Sequence, residues 1–142
     1  MTRSLSDFEG LWHFLREVRH TSGESARVTG TAVFEPDEMG LRCRESGQMV
    51  LSSGQTLTAE RTYFWRDGLQ VYFDDGRFFH TVPAHGGEAE HWCDPDTYQV
   101  EYAFEEDMWH TVWRVEGPAK SYVMSTLYAR NQDFLNTSLF KQ

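Results

Sequence analysis

Two arginines stand in alternating rows that are otherwise apolar or aromatic. Arg16 falls in the row Trp12, Phe14, Arg16, Val18, and Arg61 in the row Leu57, Ala59, Arg61, Tyr63, Trp65. Successive side chains of a strand point to opposite faces, so a charge in an apolar row faces the interior. A guanidinium keeps its proton there and needs a carboxylate partner or an anionic ligand. Glu45 and Asp75 are the internal candidates for partner. Arg77, opening a strand just after the tight turn Asp75-Gly76, is a third candidate cation. Two chemistries fit: an ion-pair network that fixes strand register, or a clamp for the carboxylate or phosphate of a small molecule.

Histidines form the second group. His91 and Cys93 share a face, His80 belongs to a neighbouring run, and His85 sits on the loop between. Three such ligands could meet at a metal, but no tight ligand spacing is present, and neutral histidines hydrogen-bonded in a polar cavity are the expectation. Paired with Asp75 or Asp96, His80 or His91 could instead run acid–base chemistry near neutral pH. Asp96, in Asp94-Pro95-Asp96-Thr97, reads as a turn-capping residue. No Gly-x-Ser-x-Gly elbow and no glycine-rich phosphate loop occurs, so hydrolase and nucleotide-binding readings lack support. The inward aromatics include Tyr63, Tyr98, Tyr102, Tyr122 and Tyr128, and each buried hydroxyl requires a partner. That favours a modest, wet cavity over a greasy one.

The elements that must hold these residues are strands. Turn signals such as Asp67-Gly68, Asp75-Gly76 and Gly117-Pro118 separate about ten strand-length runs, the spacing of an antiparallel meander. The first run is ambiguous, because Phe8, Leu11, Trp12, Leu15 and Val18 also fit a helical stripe. A hairpin with the run Val28 to Phe34 explains both segments, leaving a short helical turn around Ser4 to Phe8. Further inward rows are Leu69, Val71, Phe73, Asp75; Phe78, His80, Val82; and Tyr98, Val100, Tyr102, Phe104. Phe134, Leu135, Leu139 and Phe140 in the tail are expected to pack on the barrel exterior or a subunit partner.

Length and charge set the outer limits. The 142 residues suit one domain, residues 1–142, and the net charge of −9 opposes binding to nucleic acid or to an anionic membrane surface. Met1 to Asp7 has no apolar signal region, no run approaches the length of a membrane span, and two cysteines make no disulfide framework. A cytoplasmic protein with two reduced thiols is expected.

Gly10-Leu11-Trp12 resembles the Gly-x-Trp signature of lipocalin-like (calycin) barrels. In that superfamily the Trp plugs one barrel end and packs beneath an Arg from the final strand, and Arg130 is placed to be that Arg. Three further segments resemble a family of short bacterial proteins assigned to this fold and carried as a domain of unknown function. They are Asp75-Gly76-Arg77-Phe78-Phe79-His80, His91-Trp92-Cys93-Asp94-Pro95-Asp96-Thr97-Tyr98, and Trp113-Arg114-Val115-Glu116-Gly117-Pro118-Ala119-Lys120. The resemblance implies a fold and no activity. Haem-binding barrels of the superfamily carry an axial His near the C-terminus, whereas the last His here is His110.

The sequence therefore predicts an all-β, lipocalin-like, antiparallel up-and-down barrel of about ten strands. Its expected function is non-enzymatic binding of a small polar or anionic ligand, without a cofactor. The expected ligand-binding residues are Arg16, Arg61, Tyr63, Arg77, His80, His91, Tyr98 and Tyr102, with no catalytic or metal-ligating residue assigned. A small isomerase or hydrolase using a barrel-lining His is the alternative, and a haem or metal carrier the third reading. A homodimer through the outer sheet or tail is left open.

Overall fold

Period-2 alternation builds strands along most of the chain. In the computed structural model, which describes residues 2–135, a 3-10 turn at Leu5–Phe8 leads into ten strands. They are β1 (Gly10–His20), β2 (Ser25–Asp37), β3 (Gly40–Leu51), β4 (Thr56–Arg66), β5 (Gln70–Phe73), β6 (Phe78–Thr81), β7 (Gly87–Cys93), β8 (Asp96–Glu105), β9 (Met108–Glu116) and β10 (Ser121–Ala129). The ambiguous first run is thus a strand, and its inward row of Trp12, Phe14, Arg16 and Val18 is buried as the alternation requires.

All ten strands share one antiparallel sheet in the order β6-β5-β4-β3-β2-β1-β10-β9-β8-β7. Every ladder but one joins sequence neighbours; the exception pairs β1 with β10, from His13↔Ala129 to His20↔Tyr122. The sheet coils until its two edges, β6 and β7, face each other, and the ring of Phe78 meets that of His91 across this seam at 5.1 Å. The backbones of β2 and β3 crowd together where Gly30 pairs with Gly47. A Cβ on Gly30 would lie 2.0 Å from the Ser46 carbonyl oxygen, so no larger residue lets the strands approach there.

One end of the barrel is plugged. The Phe8 ring packs on Trp65 at 4.8 Å and edge-on to Trp109 at 5.3 Å, while the Trp12 indole donates to the Phe8 carbonyl at 2.9 Å. The Arg130 guanidinium lies 3.7 Å above the Trp12 ring and donates to the carbonyls of Asp7, Glu9 and Leu11. The expected Trp-under-Arg arrangement is present, with three carbonyls taken up by one cation.

Three expectations are corrected. Phe78 is exposed, and Phe79 takes the inward place. A β-bulge causes this: Val71 pairs with His80 and Tyr72 with Phe78, so Phe79 is an extra residue on β6. Asp75 is exposed at its turn and pairs with Arg77 at 2.8 Å, leaving it no part in the interior. Asp96, read as a turn cap, is buried against the Gly117 turn and forms an ion pair with Lys120 at 3.4 Å. In the tail Leu135 is buried and Phe134 exposed; Leu139 and Phe140 lie outside the described residues.

Candidate functional site in the barrel interior

Above the plug the inward rows turn polar. Arg16 on β1 is 5 % exposed, and its Nε donates to Thr126 Oγ1 at 2.8 Å across the β1–β10 ladder. Its terminal nitrogen donates to the Tyr128 hydroxyl at 2.9 Å and pairs with Glu45 of β3, with contacts of 2.9 Å to Oε1 and 3.1 Å to Oε2. The Tyr128 hydroxyl donates in turn to Glu45 Oε2. Burial works to lower the Arg16 pKa, but Glu45, Tyr128 and Tyr63 outweigh it and hold the guanidinium charged. The interior cation is thus neutralised by protein groups, as the register-fixing chemistry requires. Buried Cys43 has its thiol pKa pushed well up by burial and by the Glu45 carboxylate.

A second polar cluster joins β6, β8 and β9. His80, 2 % exposed, shares a 2.8 Å hydrogen bond between Nε2 and the Tyr102 hydroxyl. Burial, with a smaller contribution from His91, drives the His80 pKa down to about 3, so the imidazole is neutral. Burial raises the Tyr102 phenol well above its ordinary value, opposed by Thr111 and Trp113 within reach of the hydroxyl. Neither Thr111 Oγ1 nor Trp113 Nε1 completes a well-angled bond, and His80 Nδ1 and Trp109 Nε1 also lack one. Glu45 Oε1 touches Arg16 without hydrogen-bond alignment.

These five under-satisfied groups line one cavity. Its walls include Glu45, Tyr63, His80, Tyr102, Trp109, Thr111, Trp113 and Tyr128, and it offers about 20 Å³, room for a water-sized group. A second cavity of about 20 Å³, lined by Arg16, Met49, Ala59, Glu60 and Arg61 among others, also has Glu45 in its wall.

The eight expected site residues divide accordingly. Arg16, Tyr63, His80 and Tyr102 lie in the interior. Arg61 occupies the inward row at the outer half of β4, where the strand overhangs, so the residue is exposed; its guanidinium still reaches inward to donate to the Tyr63 hydroxyl at 3.2 Å. Among the described residues it forms no ion pair. Tyr98 is buried near the rim, edge-on to Phe79 at 4.9 Å. His91 is half-buried at the seam. Arg77 stands outside, tied to Asp75 and 3.8 Å from Cys93 Sγ. Among the described residues no group of three His, Cys, Asp or Glu could hold a metal ion. Alternation in the sequence places Trp109, Thr111, Trp113 and Val115 in one inward row, but does not assign their polar groups to the site. The signal was a hydroxyl between two indoles on one inward face.

A ten-strand antiparallel barrel whose first and last strands pair and whose β6 and β7 edges meet at a seam, with a Trp plug beneath Arg130, is lipocalin-like. The chain belongs to DUF6314, a family of unknown function, whose profile matches residues 8–130. Among solved structures it is similar to the S-type phycobiliprotein lyase CPES from Guillardia theta. That likeness has 11 % identity over 90 % of each chain and a TM-score of 0.58, and it speaks for the fold alone. A looser likeness, TM-score 0.44, links it to a de novo designed fluorescence-activating β-barrel, at 14 % identity over 89 % of this chain and 96 % of that one. No curated protein matches. Among the described residues no helix is long and apolar enough to cross a membrane.

Proposed function

We propose that this protein binds a small polar molecule inside its barrel without chemical conversion. One observation carries the reading: Glu45, His80, Trp109, Thr111 and Trp113, each with an under-satisfied buried polar atom, all line a single internal cavity. Leaving a buried donor or acceptor unpaired costs about 1–3 kcal/mol, so a cluster of them suits a site completed by something else. In this reading His80 and Tyr102 fix the ligand's orientation, and Tyr63 links the cavity to the mouth. Arg61, without a carboxylate of its own, supplies the contact for any anionic substituent at the rim. Tyr98 and His91 border the site, while Arg77 plays no direct part. Acid–base catalysis by His80 is the weaker reading, because an imidazole held neutral to about pH 3 is a poor base. The free thiols of Cys43 and Cys93 agree with a cytosolic location.

Native and denaturing mass spectrometry of freshly purified protein tests the reading. The expected result is an additional mass that is lost on denaturation. A bare native mass, joined to the absence of any thermal shift across a panel of small polar metabolites, overturns it.

A further inference from the structure

We infer that the outer face of β2, β1, β10 and β9 is the interface of a two-fold homodimer, with Leu15 of one copy seated on Leu127 of the other. The inference concerns the outside of the barrel and stands apart from the binding reading above. Register carries it. Across the ladders, outward positions fall into rows that run from strand to strand. The central row is Gln48, Thr29, Leu15, Leu127, His110 and Ala103, taken from β3 through β2, β1, β10 and β9 to β8. Beside it, toward the plug, lie Ser46, Thr31, His13, Ala129 and Met108. Neither row contains Asp, Glu, Lys or Arg, although these residues make up 25 % of the chain. Outward positions elsewhere are charged, with Arg42 and Arg44 on β3, Glu60 and Arg66 on β4, and Glu88 and Glu90 on β7. Exposed Leu11, opposite Val33, extends the uncharged surface. An apolar centre from which charge is depleted distinguishes an interface from open surface.

Charge selects a second copy as the occupant. The chain carries a net charge of −9, so two copies repel unless the faces that meet are free of unpaired carboxylates. A two-fold axis parallel to the strands and midway between β1 and β10 sets β1 of one copy against β10 of the other, and β2 against β9. On the central row this places Leu15 on Leu127 and Thr29 on His110. One row further from the plug, Glu17 meets Ser125 and Arg27 meets Val112; beyond it, Arg19 meets Val123 and Ser25 meets Arg114. No charge faces its like in these rows. Glu17 keeps its own Arg27 at 3.0 Å within each copy, so its carboxylate enters the contact already paired. Ala129 is fully buried within the single chain, which centres the contact on the Leu15 row. An acidic or basic partner would find only neutral groups across these two rows.

Sedimentation velocity of the full chain at micromolar concentration reads the assembly. The expected mass is twice 16.6 kDa. Leu127→Glu and Leu15→Lys each set a charge against a leucine of the other copy, so each should weaken the dimer by about a hundredfold. Mixed one to one, the two variants should pair again. The axis brings the new ammonium group onto the new carboxylate, while the unaltered Leu127 of one variant meets the unaltered Leu15 of the other. Trp92→Glu, on the exposed outer side of β7, should leave the dimer as tight as the parent. A parent of 16.6 kDa, a dimer that survives Leu127→Glu, or a mixture of folded variants that stays monomeric overturns the inference. Where a leucine variant loses its native circular dichroism, Thr29→Arg decides, because Thr29 is exposed and its replacement spares the fold. It should weaken the dimer by about tenfold, and a dimer of undiminished affinity overturns the interface.

Discussion

The two halves of the barrel interior are built on opposite principles. At the plug the Trp12 indole is answered by the Phe8 carbonyl, and Arg130 by three carbonyls and the Trp12 face, while Trp109, which packs on Phe8, carries its unanswered Nε1 toward the other half. Phe8, Phe34 and Trp65 fill the remaining space, and each fully buried side chain of this size contributes about 1.5–3 kcal/mol. In the polar half a charge pair is buried, and several buried polar atoms lack a hydrogen-bond partner. The first half is built for stability alone. The second gives up stability where nothing in the fold demands it, in keeping with the binding reading proposed above.

Substitutions can break this contrast. The largest effect is expected from Glu45→Ala, which leaves Arg16 charged and buried at a cost of about 3–5 kcal/mol in urea unfolding. The double variant Arg16→Met/Glu45→Leu should recover most of that loss. A cost under about 1 kcal/mol for Glu45→Ala would mean that the ion pair does not hold this half together.

Acid comes next. The unfolded chain protonates His80 near its ordinary 6.5, whereas the folded protein resists down to about 3. The unfolded state therefore binds more protons through this window. Stability that is complete above pH 6.5 should fall as pH drops, by about 1.4 kcal/mol per pH unit from this residue alone. Between pH 6.5 and 4 the difference amounts to roughly 3 kcal/mol. It is read as the gap in pH dependence between the parent and His80→Gln, and parallel profiles would contradict it.

At the plug, Arg130→Met should cost about 2 kcal/mol through lost carbonyl bonds and the Trp12 contact. The same variant should leave the Trp113 indole N–H signal of nitrogen-15-labelled protein unshifted, because the two halves are expected to respond separately. The smallest effect should be that of Thr111→Val. It removes an under-satisfied buried hydroxyl and should leave the urea midpoint unchanged or raised by up to about 1 kcal/mol in free energy. A clear loss of stability would show that the hydroxyl is fully bonded in the folded protein.

Much of the fold could be read from alternation and turns. Gly10-Leu11-Trp12 and Arg130 marked the plug, and the inward rows of β1 and β8 followed from period 2. The polar half was legible only in its residue types. That Arg16 meets Glu45 depends on two intervening ladder registers, which neither row contains by itself. Phe79 displaced Phe78 because one extra residue in a four-residue strand leaves no periodic trace. Arg61 sits in the right row, yet its exposure depends on how far β4 outruns the barrel, a length that alternation cannot express. Arg77 and Asp75 were drawn inward by their neighbours in sequence; a hairpin tip offered them each other in solvent.

The seam between β6 and β7 has a consequence for chain connectivity. Since β1 lies beside β10, a linker that keeps Arg130 and the Leu5–Phe8 turn between those strands, with a cut between β6 and β7, would yield the order β7-β8-β9-β10-β1-β2-β3-β4-β5-β6. In that circular permutant every ladder links consecutive strands, and the one long-range pairing becomes a hairpin. Its contact order falls while its interior is unchanged, so it should refold faster than the natural order and unfold at a similar rate.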